Sequence, residues 1–279
     1  MKLAQILTTL QNEPLLCDNA YRFALLELFQ QHAELDKEDF KHKRTGKARS
    51  GSELDVEEAE VRDGVCIIPV GGPMGVGLGE FEKGAGAVDM DDLVSELDEA
   101  EESDQVEGII LNFDSPGGTV NGTFELCNRI MAVEKPIYSF SRGLCCSAAY
   151  AAACATDGIF GTCGGTFGNI GVYATFLDMS QLAAVSGVAV KVFSSGPIKG
   201  AGIPGTSLTL DQQVFMQARV MGMAKTFQDH VRARRGGISD GDMGGQYFSG
   251  EEAGLRGFID GMVNDIDELA AYLRSGKGV

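Results

Sequence analysis

The stretch Gly108–Gly118 reads Gly-Ile-Ile-Leu-Asn-Phe-Asp-Ser-Pro-Gly-Gly and decides the fold class. Its first half is a short, almost wholly apolar run, which is typical of a strand buried in a parallel sheet. The run stops at a proline and two glycines, which predict a turn. Loops at the carboxyl ends of parallel strands carry the ligand sites of α/β proteins. The stretch therefore predicts an α/β sheet with a candidate site at residues 114–118, although an ordinary strand-to-helix turn would have a similar sequence.

Strand-like and helix-like patterns alternate around this stretch. An apolar run at Val65–Val70 predicts a second buried strand, and a capping box at Thr209 and Gln212 opens a long amphipathic helix that ends near Gly236. The remaining pattern predicts helices at 90–102, 119–133, 147–155 and 178–186, and strands at 136–141, 158–173 and 188–194. Strands that alternate with helices indicate a mainly parallel sheet in an α/β domain.

The composition is that of a globular and strongly acidic protein. The 279 residues include 23 Lys+Arg and 40 Asp+Glu, which give a formal charge of −17 and a pI near 4.5. This balance argues against nucleic acid as a partner, because phosphates are neutralised by clustered basic side chains. The N-terminus lacks the apolar run of a signal peptide, and no stretch reaches the roughly 18 apolar residues of a membrane span. Seven cysteines, two of them adjacent, do not resemble a disulfide framework, so we expect a reduced, cytoplasmic protein.

The first 60 residues differ from the rest in their pattern of apolar and charged residues. Residues 1–34 carry apolar residues at helical spacing, which predicts two short helices. A basic cluster between 41 and 49 is followed directly by an acidic cluster between 53 and 60. Such a segment is usually a solvated linker, and a partner-docking arm is the alternative. We expect an N-terminal helical segment with a charged linker over 1–60 and one folded domain over 61–279.

Ser147 is the candidate nucleophile. It stands where a strand pattern ends and a helix of small residues begins, so the simplest interpretation is a helix N-cap. A serine at a helix N-terminus is also suited to nucleophilic attack, since free amides and the helix dipole stabilise an oxyanion. Two backbone N–H groups are candidate donors, those of Ala148 and Gly118.

A serine nucleophile needs a base, and the histidines do not supply one. His32 and His42 fall in the N-terminal segment, and His230 lies on a long helix far from Ser147 in sequence. Lysine can serve if burial lowers its pKa from about 10.4 towards neutrality. The 76 residues 135–210 contain only two acids, where the chain average predicts about 11, and their net charge is +2. Lys199 lies there in a neutral, Gly-rich loop and is the candidate base, although an ordinary exposed lysine is the alternative.

Several motifs in this order resemble the signal peptide peptidase A family of serine peptidases. They are the stretch Gly108–Gly118, Ser147-Ala-Ala-Tyr150, Gly168-Asn-Ile-Gly-Val172, Gly196-Pro-Ile-Lys199, Phe248-Ser-Gly-Glu-Glu-Ala253 and Gly257-Phe-Ile-Asp260. The resemblance covers roughly residues 64–272. It implies the spiral of ββα units shared with the ClpP peptidase and the crotonases, here with a C-terminal helical region.

The same resemblance implies a Ser-Lys endopeptidase that needs neither a cofactor nor a metal. Ser147 would be the nucleophile, Lys199 the general base, and the N–H groups of Gly118 and Ala148 the oxyanion hole. Where the family commonly has a serine that holds the lysine amine, this chain has Asn169, whose amide oxygen can also accept a hydrogen bond from an amine. Cys146 beside the serine is expected to be a small buried residue and not the nucleophile.

The chain is similar to the short phage and prophage members of this family, which mature capsids by cutting capsid and scaffold precursors. A cytoplasmic bacterial peptidase is the alternative, as is a non-catalytic scaffold protein with the same fold. Acyl-CoA chemistry of the crotonase type would use the same two amides, but it usually needs a carboxylate that residues 135–210 hardly supply. Family relatives form rings and often complete the dyad between subunits, so we expect a homo-oligomer that acts on protein substrates.

Overall fold

A computed structural model describes residues 15–16 and 59–275. The charged linker predicted for 41–60 and the helices predicted for 1–34 therefore lie outside the described residues, apart from Ala59, Glu60 and Leu15–Leu16. The last two form a short strand, so the helix prediction is wrong at these two positions. The described chain forms two compact units. The larger contains residues 59–171 and 227–275, and the smaller contains residues 172–226.

The strands are mostly short, and only two of them reach seven residues. They are β1 (Leu15–Leu16), β2 (Glu60–Arg62), β3 (Val65–Gly71), β4 (Met74–Gly75), β5 (Val88–Asp89), β6 (Gly108–Asp114), β7 (Gly118–Thr119), β8 (Ile137–Ser141), β9 (Leu144–Cys146), β10 (Gly158–Gly161), β11 (Thr166–Gly168), β12 (Tyr247–Ser249) and β13 (Gly261–Met262).

The helices include one that is much longer than the others. They are α1 (Glu80–Gly84), α2 (Met90–Glu102), α3 (Thr123–Met131), α4 (Ala148–Cys154), α5 (Ser180–Val185), α6 (Leu210–Arg234), α7 (Gly250–Leu255) and α8 (Ile266–Arg274). The long helix α6 begins in the smaller unit and ends in the larger one.

The larger unit is built from a repeated motif of a long strand, a short strand and a helix. The units are β3-β4, β6-β7-α3, β8-β9-α4 and β10-β11. The long strands form one sheet in the order β13-β10-β8-β6-β3-β2, in which only β2 is antiparallel to its neighbour. The short strands form two smaller sheets, β1-β7-β4-β5 and β12-β11-β9. The predicted α/β class, the succession of ββα units and the C-terminal helical region are therefore confirmed.

The centre of the large sheet is the pair β3 and β6. Their residues match one to one from Val65 and Gly108 to Gly71 and Asp114, and most of them are fully buried. The helix α2 packs an apolar stripe into the core, with Met90, Leu93, Leu97 and Ala100 buried at helical spacing. Helix α8 packs with Leu269 and Ala270 in a second cluster, against Ile67, Ile110 and Phe140 of the sheet.

The smaller unit has no buried residue anywhere in 172–226.

The capping box predicted at the start of α6 is confirmed, because the Gln212 N–H donates to Thr209 Oγ1 and the Thr209 N–H donates to Gln212 Oε1. The strand predicted for 188–194 is wrong. Its valines do alternate, but no neighbouring strand in the described part of this unit offers hydrogen bonds, and a lone strand has no stability of its own.

Candidate active site

Ser147 lies between the end of β9 and the start of α4. Its φ of 56° and ψ of −116° place it in a backbone region that favours glycine, at a cost of about 1–3 kcal/mol. Its N–H donates to the Gly168 carbonyl at 2.8 Å and supports this conformation. Ser147 occupies the N-cap position as predicted, but its side chain makes no capping hydrogen bond. The strained position therefore does not serve helix capping.

The helix that follows Ser147 is held rigidly in the core. All seven residues of Ala148–Cys154 are buried, and the six alanine and cysteine side chains among them are small enough to permit close packing. The Tyr150 hydroxyl donates to the Phe258 carbonyl at 2.8 Å. The first N–H groups of a helix have no partner within it, so that of Ala148 is available as a donor beside Ser147.

The loop after β6 runs alongside the strand that leads to Ser147. The Ser115 N–H donates to the Leu144 carbonyl at 2.7 Å, and the Cys146 N–H donates to the Ser115 carbonyl at 3.2 Å. The buried Ser115 hydroxyl donates to the Gly72 carbonyl at 2.6 Å, and it accepts from the Gly117 N–H at 3.2 Å. The structure thus brings the two predicted site loops, 114–118 and the one at Ser147, side by side.

Gly118 is required by a close approach of two backbones. A Cβ atom at this position would lie 1.9 Å from the carbonyl oxygen of Met74. The Met74 N–H donates to the Gly117 carbonyl at 2.9 Å, which keeps β4 and β7 together. No side chain fits here, so the glycine is dictated by packing as well as being a candidate oxyanion donor.

Asn169 also has a positive φ, of 54°. It directly follows Gly168, whose carbonyl accepts from Ser147, and its own N–H donates to the Gln246 carbonyl at 2.6 Å. Asn169 therefore lies in the loop that supports the backbone of Ser147. Ser147, Ala148, Gly118 and Asn169 all belong to the larger unit.

Lys199 belongs to the smaller unit, and its side chain is exposed. Within the described residues its ammonium group has no hydrogen bond or ion pair. It lines a cavity of about 620 Å³ together with several hydroxyl residues of the same unit, Ser194, Ser195, Thr206, Ser207 and Thr209.

The backbone around Lys199 is braced by two side chains. The Ser194 hydroxyl lies 2.6 Å from the Lys199 carbonyl and 2.7 Å from the Gly196 carbonyl. The Gln212 side-chain amide donates to the Pro197 carbonyl at 2.9 Å, which ties the loop to the start of α6. The loop that carries the candidate base is therefore structured within its own unit.

The cysteines near Ser147 are buried. Cys145 and Cys146 are 0% and 4% exposed, which confirms that Cys146 is a small buried residue. Burial raises the pKa of the Cys145 thiol well above its usual value. The Cys146 thiol lies 3.7 Å from the Thr166 carbonyl. A protonated thiol is a poor nucleophile, so Cys145 is unsuited to attack.

Sequence reasoning missed the residues that hold α4 from outside. His230 Nε2 lies 2.9 Å from the Ala151 carbonyl, and the Arg234 side chain bonds the carbonyl of Cys154. Both residues lie on the final turns of α6, about 80 positions after their partners. Their partners are backbone carbonyls, which leave no mark in a residue pattern. The only available signal was the helical spacing of His230 and Arg234 themselves.

Neither a metal cluster nor a membrane-spanning helix is found among residues 15–16 and 59–275. Within them, no group of three or more His, Cys, Asp or Glu side chains is arranged to hold a metal ion. None of the helices in the same residues combines the length and the apolar character needed to cross a membrane.

Comparison with known proteins decides the family. Residues 129–279, which are more than half of the chain, match peptidase family S49. The chain belongs to this family. The match includes Ser147, Asn169 and Lys199, whereas Gly118 precedes it.

Relatives of this S49 chain include two phage proteins. The head-tail preconnector protein GP5 of Enterobacteria phage P21 is 26% identical over 96% of this chain and 56% of its own length. The capsid assembly protease C of Escherichia phage lambda is 27% identical over 75% of this chain and 49% of its own. A putative signal peptide peptidase SppA of Enterococcus faecium is 25% identical over 66% of this chain and 55% of its own. The chain thus spans about half the length of these curated relatives.

Two solved structures are also similar to the S49 chain. A ClpP1 variant from Listeria monocytogenes has a TM-score of 0.49 at 13% identity, covering 73% of this chain and 94% of that one. A member of the enoyl-CoA hydratase/isomerase family has a TM-score of 0.45 at 14% identity, covering 78% and 74%. Both likenesses are distant, so the fold assignment rests on the ββα units of the chain itself.

Proposed function

We propose that this chain is a serine endopeptidase with a Ser147-Lys199 dyad that processes capsid or scaffold precursor proteins. The conformation of Ser147 carries the proposal. A strained backbone at a strand-to-helix turn, with a hydroxyl that caps nothing, is typical of a nucleophile and is costly for a purely structural serine. Membership of family S49 supports the same reaction class.

In the proposed reaction Ser147 Oγ attacks the carbonyl carbon of the scissile peptide bond while Lys199 takes the hydroxyl proton. The developing oxyanion accepts hydrogen bonds from the N–H groups of Gly118 and Ala148. Lys199 then returns the proton to the leaving amine, and an acyl group remains on Ser147. A water molecule, deprotonated by the same lysine, releases the acyl group and restores the serine.

The exposure of Lys199 sets a condition on this chemistry. A lysine works as a base near neutral pH only when its ammonium form is desolvated, and the smaller unit alone leaves the side chain in water. Its cover must come from outside that unit. We propose that a neighbouring subunit or the bound substrate shields Lys199 from water, so that the lysine acts as a base only in the assembled or substrate-bound protein.

Cleavage of an unfolded protein by purified variants tests the dyad. Ser147→Ala and Lys199→Ala are each expected to lower the cleavage rate by about 10³-fold or more. Ser186→Ala and Lys191→Ala are the controls, because they change exposed residues of the same types in the smaller unit. Full activity of Lys199→Ala would refute the dyad. Absence of cleavage by the wild-type chain, tested also on phage capsid and scaffold precursor proteins, would favour a non-catalytic assembly protein.

We also propose a homo-oligomer. Residues 172–226 bury no side chain, and apolar residues such as Val185 and Phe193 are 89% and 94% exposed. We propose that a second copy of the chain covers these apolar residues. Such an arrangement is consistent with a dyad whose serine and lysine come from different subunits. Mixing the Ser147→Ala and Lys199→Ala variants would then restore part of the activity. A monomer by light scattering that is nevertheless fully active would contradict this proposal.

A further inference from the structure

A second cavity, of about 610 Å³, lies in the larger unit on the side of the sheet away from α4. Phe140 and Ile67 line it, and both belong to the cluster under α8. Ser139, the neighbour of Phe140 in β8, contacts Thr156 just beyond α4. Successive residues of a strand point to opposite faces, so the cavity and α4 lie on opposite faces of the sheet. The cavity is therefore separate from Ser147.

Three polar residues reach this cavity from neighbouring parallel strands. Asn112 lies near the end of β6, Arg142 directly follows β8, and Thr162 directly follows β10. In the sheet these strands are adjacent, in the order β10-β8-β6. The carboxyl ends of parallel strands are where α/β sheets bind ligands, and here they place three side chains of hydrogen-bonding type around one space.

These three side chains have no partner in the part of the chain that the structure describes. Neither the Arg142 guanidinium, nor the Asn112 amide, nor the Thr162 hydroxyl makes a hydrogen bond or an ion pair there. Other arginines of the larger unit are engaged, for example Arg235 with Asp260. Arg142 therefore differs from Arg235 in having no carboxylate partner among the described residues.

The two acidic residues at the cavity already have partners. Glu60 forms an ion pair with Arg62, and Asp265 accepts from the Glu268 N–H as the N-cap of α8. Neither acid pairs with Arg142, whereas Arg62, the other arginine at the cavity, pairs with Glu60. The lining also includes the apolar residues Ile67, Pro69, Phe140 and Ile266. The cavity thus places one cation that has no ion pair and two neutral groups that have no hydrogen bond, within the described residues, beside apolar side chains.

We propose that this cavity binds a carboxylate carried on an apolar residue, and that its source is the C-terminal residue of a polypeptide. Arg142 would pair with the carboxylate, in the bidentate geometry that guanidinium groups favour. Thr162 and Asn112 would hydrogen-bond the carboxylate and the last peptide group, and the terminal side chain would pack on Phe140. The volume falls in the usual range for ligand pockets of roughly 300–1,000 Å³.

Direct binding to the full-length chain tests the proposal independently of peptide cleavage. The probe is a fluorescent hexapeptide that ends in Leu-Phe with a free carboxylate, measured by anisotropy against the Ser147→Ala chain so that cleavage does not interfere. We expect saturable binding that weakens by about tenfold or more when the C-terminus is amidated, or when Arg142 is replaced by Gln. Arg219→Gln is the matched control, since Arg219 is also exposed and unpaired within the described residues.

Thr162→Val provides a second variant with a smaller expected loss, of about three- to tenfold. Circular dichroism checks that each variant is folded. Competition by N-acetylphenylalanine as strong as by the unlabelled peptide would identify a small carboxylate as the source and would still support the site. Equal binding of the amidated peptide, or unchanged binding by the folded Arg142→Gln chain, would overturn the proposal.

Discussion

The Arg234 side chain joins the end of α6 to the end of the helix that Ser147 begins. Its Nε donates to the Cys154 carbonyl at 3.0 Å, and Nη2 lies 3.5 and 3.4 Å from the carbonyls of Ala155 and Thr156. The last carbonyls of a helix have no partner within it, and the helix dipole makes this end negative. Arg234 thus supplies donors and a positive charge where α4 needs both.

Loss of this contact is expected to destabilise the larger unit. Arg234→Ala leaves buried carbonyls without a partner, which costs about 1–3 kcal/mol of unfolding free energy in a urea titration. Arg219→Ala changes an exposed arginine of the same helix that has no partner in the described chain, so a change within about 0.5 kcal/mol is expected. Equal stability of the two variants would show that the contact contributes nothing.

The close packing around Gly118 predicts that alanine is not tolerated at this position, although it is tolerated at Gly71. Gly118→Ala places a methyl group 1.9 Å from the Met74 carbonyl oxygen, and the nearest atoms all belong to the Met74 backbone, which cannot rotate away as a flexible side chain could. We expect loss of cleavage activity and a lower melting temperature. Gly71→Ala is the control, because a Cβ there has no heavy atom within 4 Å, and it should melt close to the wild type. A Gly118→Ala chain that melts like the Gly71→Ala chain would contradict the close approach.

The strained backbone of Ser147 predicts a stability gain on substitution. Glycine adopts a φ of 56° without strain, so Ser147→Gly should be more stable than Ser147→Ala by about 1 kcal/mol, despite the greater freedom of its unfolded chain. Both variants should lose cleavage activity. At Ala152, in the middle of α4, glycine is the less favourable residue, so Ala152→Gly should be less stable than the wild type. Chemical denaturation of the three variants, followed by circular dichroism, measures both differences. The strain would be disproved if Ser147→Gly were the less stable of the first pair.

The sequence predicts the elements whose evidence is local. The strands at 65–71 and 108–114 were expected within a residue of their observed ends, because long apolar runs leave few alternatives. The capping box of Thr209 and Gln212 was expected because both partners lie within four residues. The alternating valines of 188–194 failed as a strand, because only a neighbouring strand could have made them one.

In the candidate site, too, features with local sequence evidence were predicted and long-range backbone contacts were not. The loops of Gly118 and Ser147 were predicted from short motifs, and the structure places them side by side through Ser115. The Gln246 carbonyl that accepts from Asn169 was not predicted, because a backbone acceptor can belong to any residue type. Contacts of this kind depend on the path of the chain and become visible only in three dimensions.

His230 contacts α4 and makes the stability of the folded chain depend on pH. The ring is half-buried, its Nε2 donates to the Ala151 carbonyl at 2.9 Å, and it meets Phe124 edge to face. Burial lowers the pKa of His230, and the positive charge of Arg234 lowers it further, although the hydrogen bond to Ala151 acts in the opposite direction. The neutral ring is therefore the form that the folded chain favours.

Stability is therefore expected to fall as the pH drops below the ordinary histidine pKa of about 6.5, because the unfolded chain then binds a proton that the folded chain resists. Above that pH the contribution of His230 is fully present. His230→Gln keeps a side-chain donor for Ala151 but does not titrate. Urea titrations at several pH values between about 5.5 and 7.5 should show the wild type losing more stability than the variant as the pH falls. His32 and His42 are present in both chains and cancel in the difference. Parallel stability curves for the two chains would show that the folded state does not resist protonation of His230.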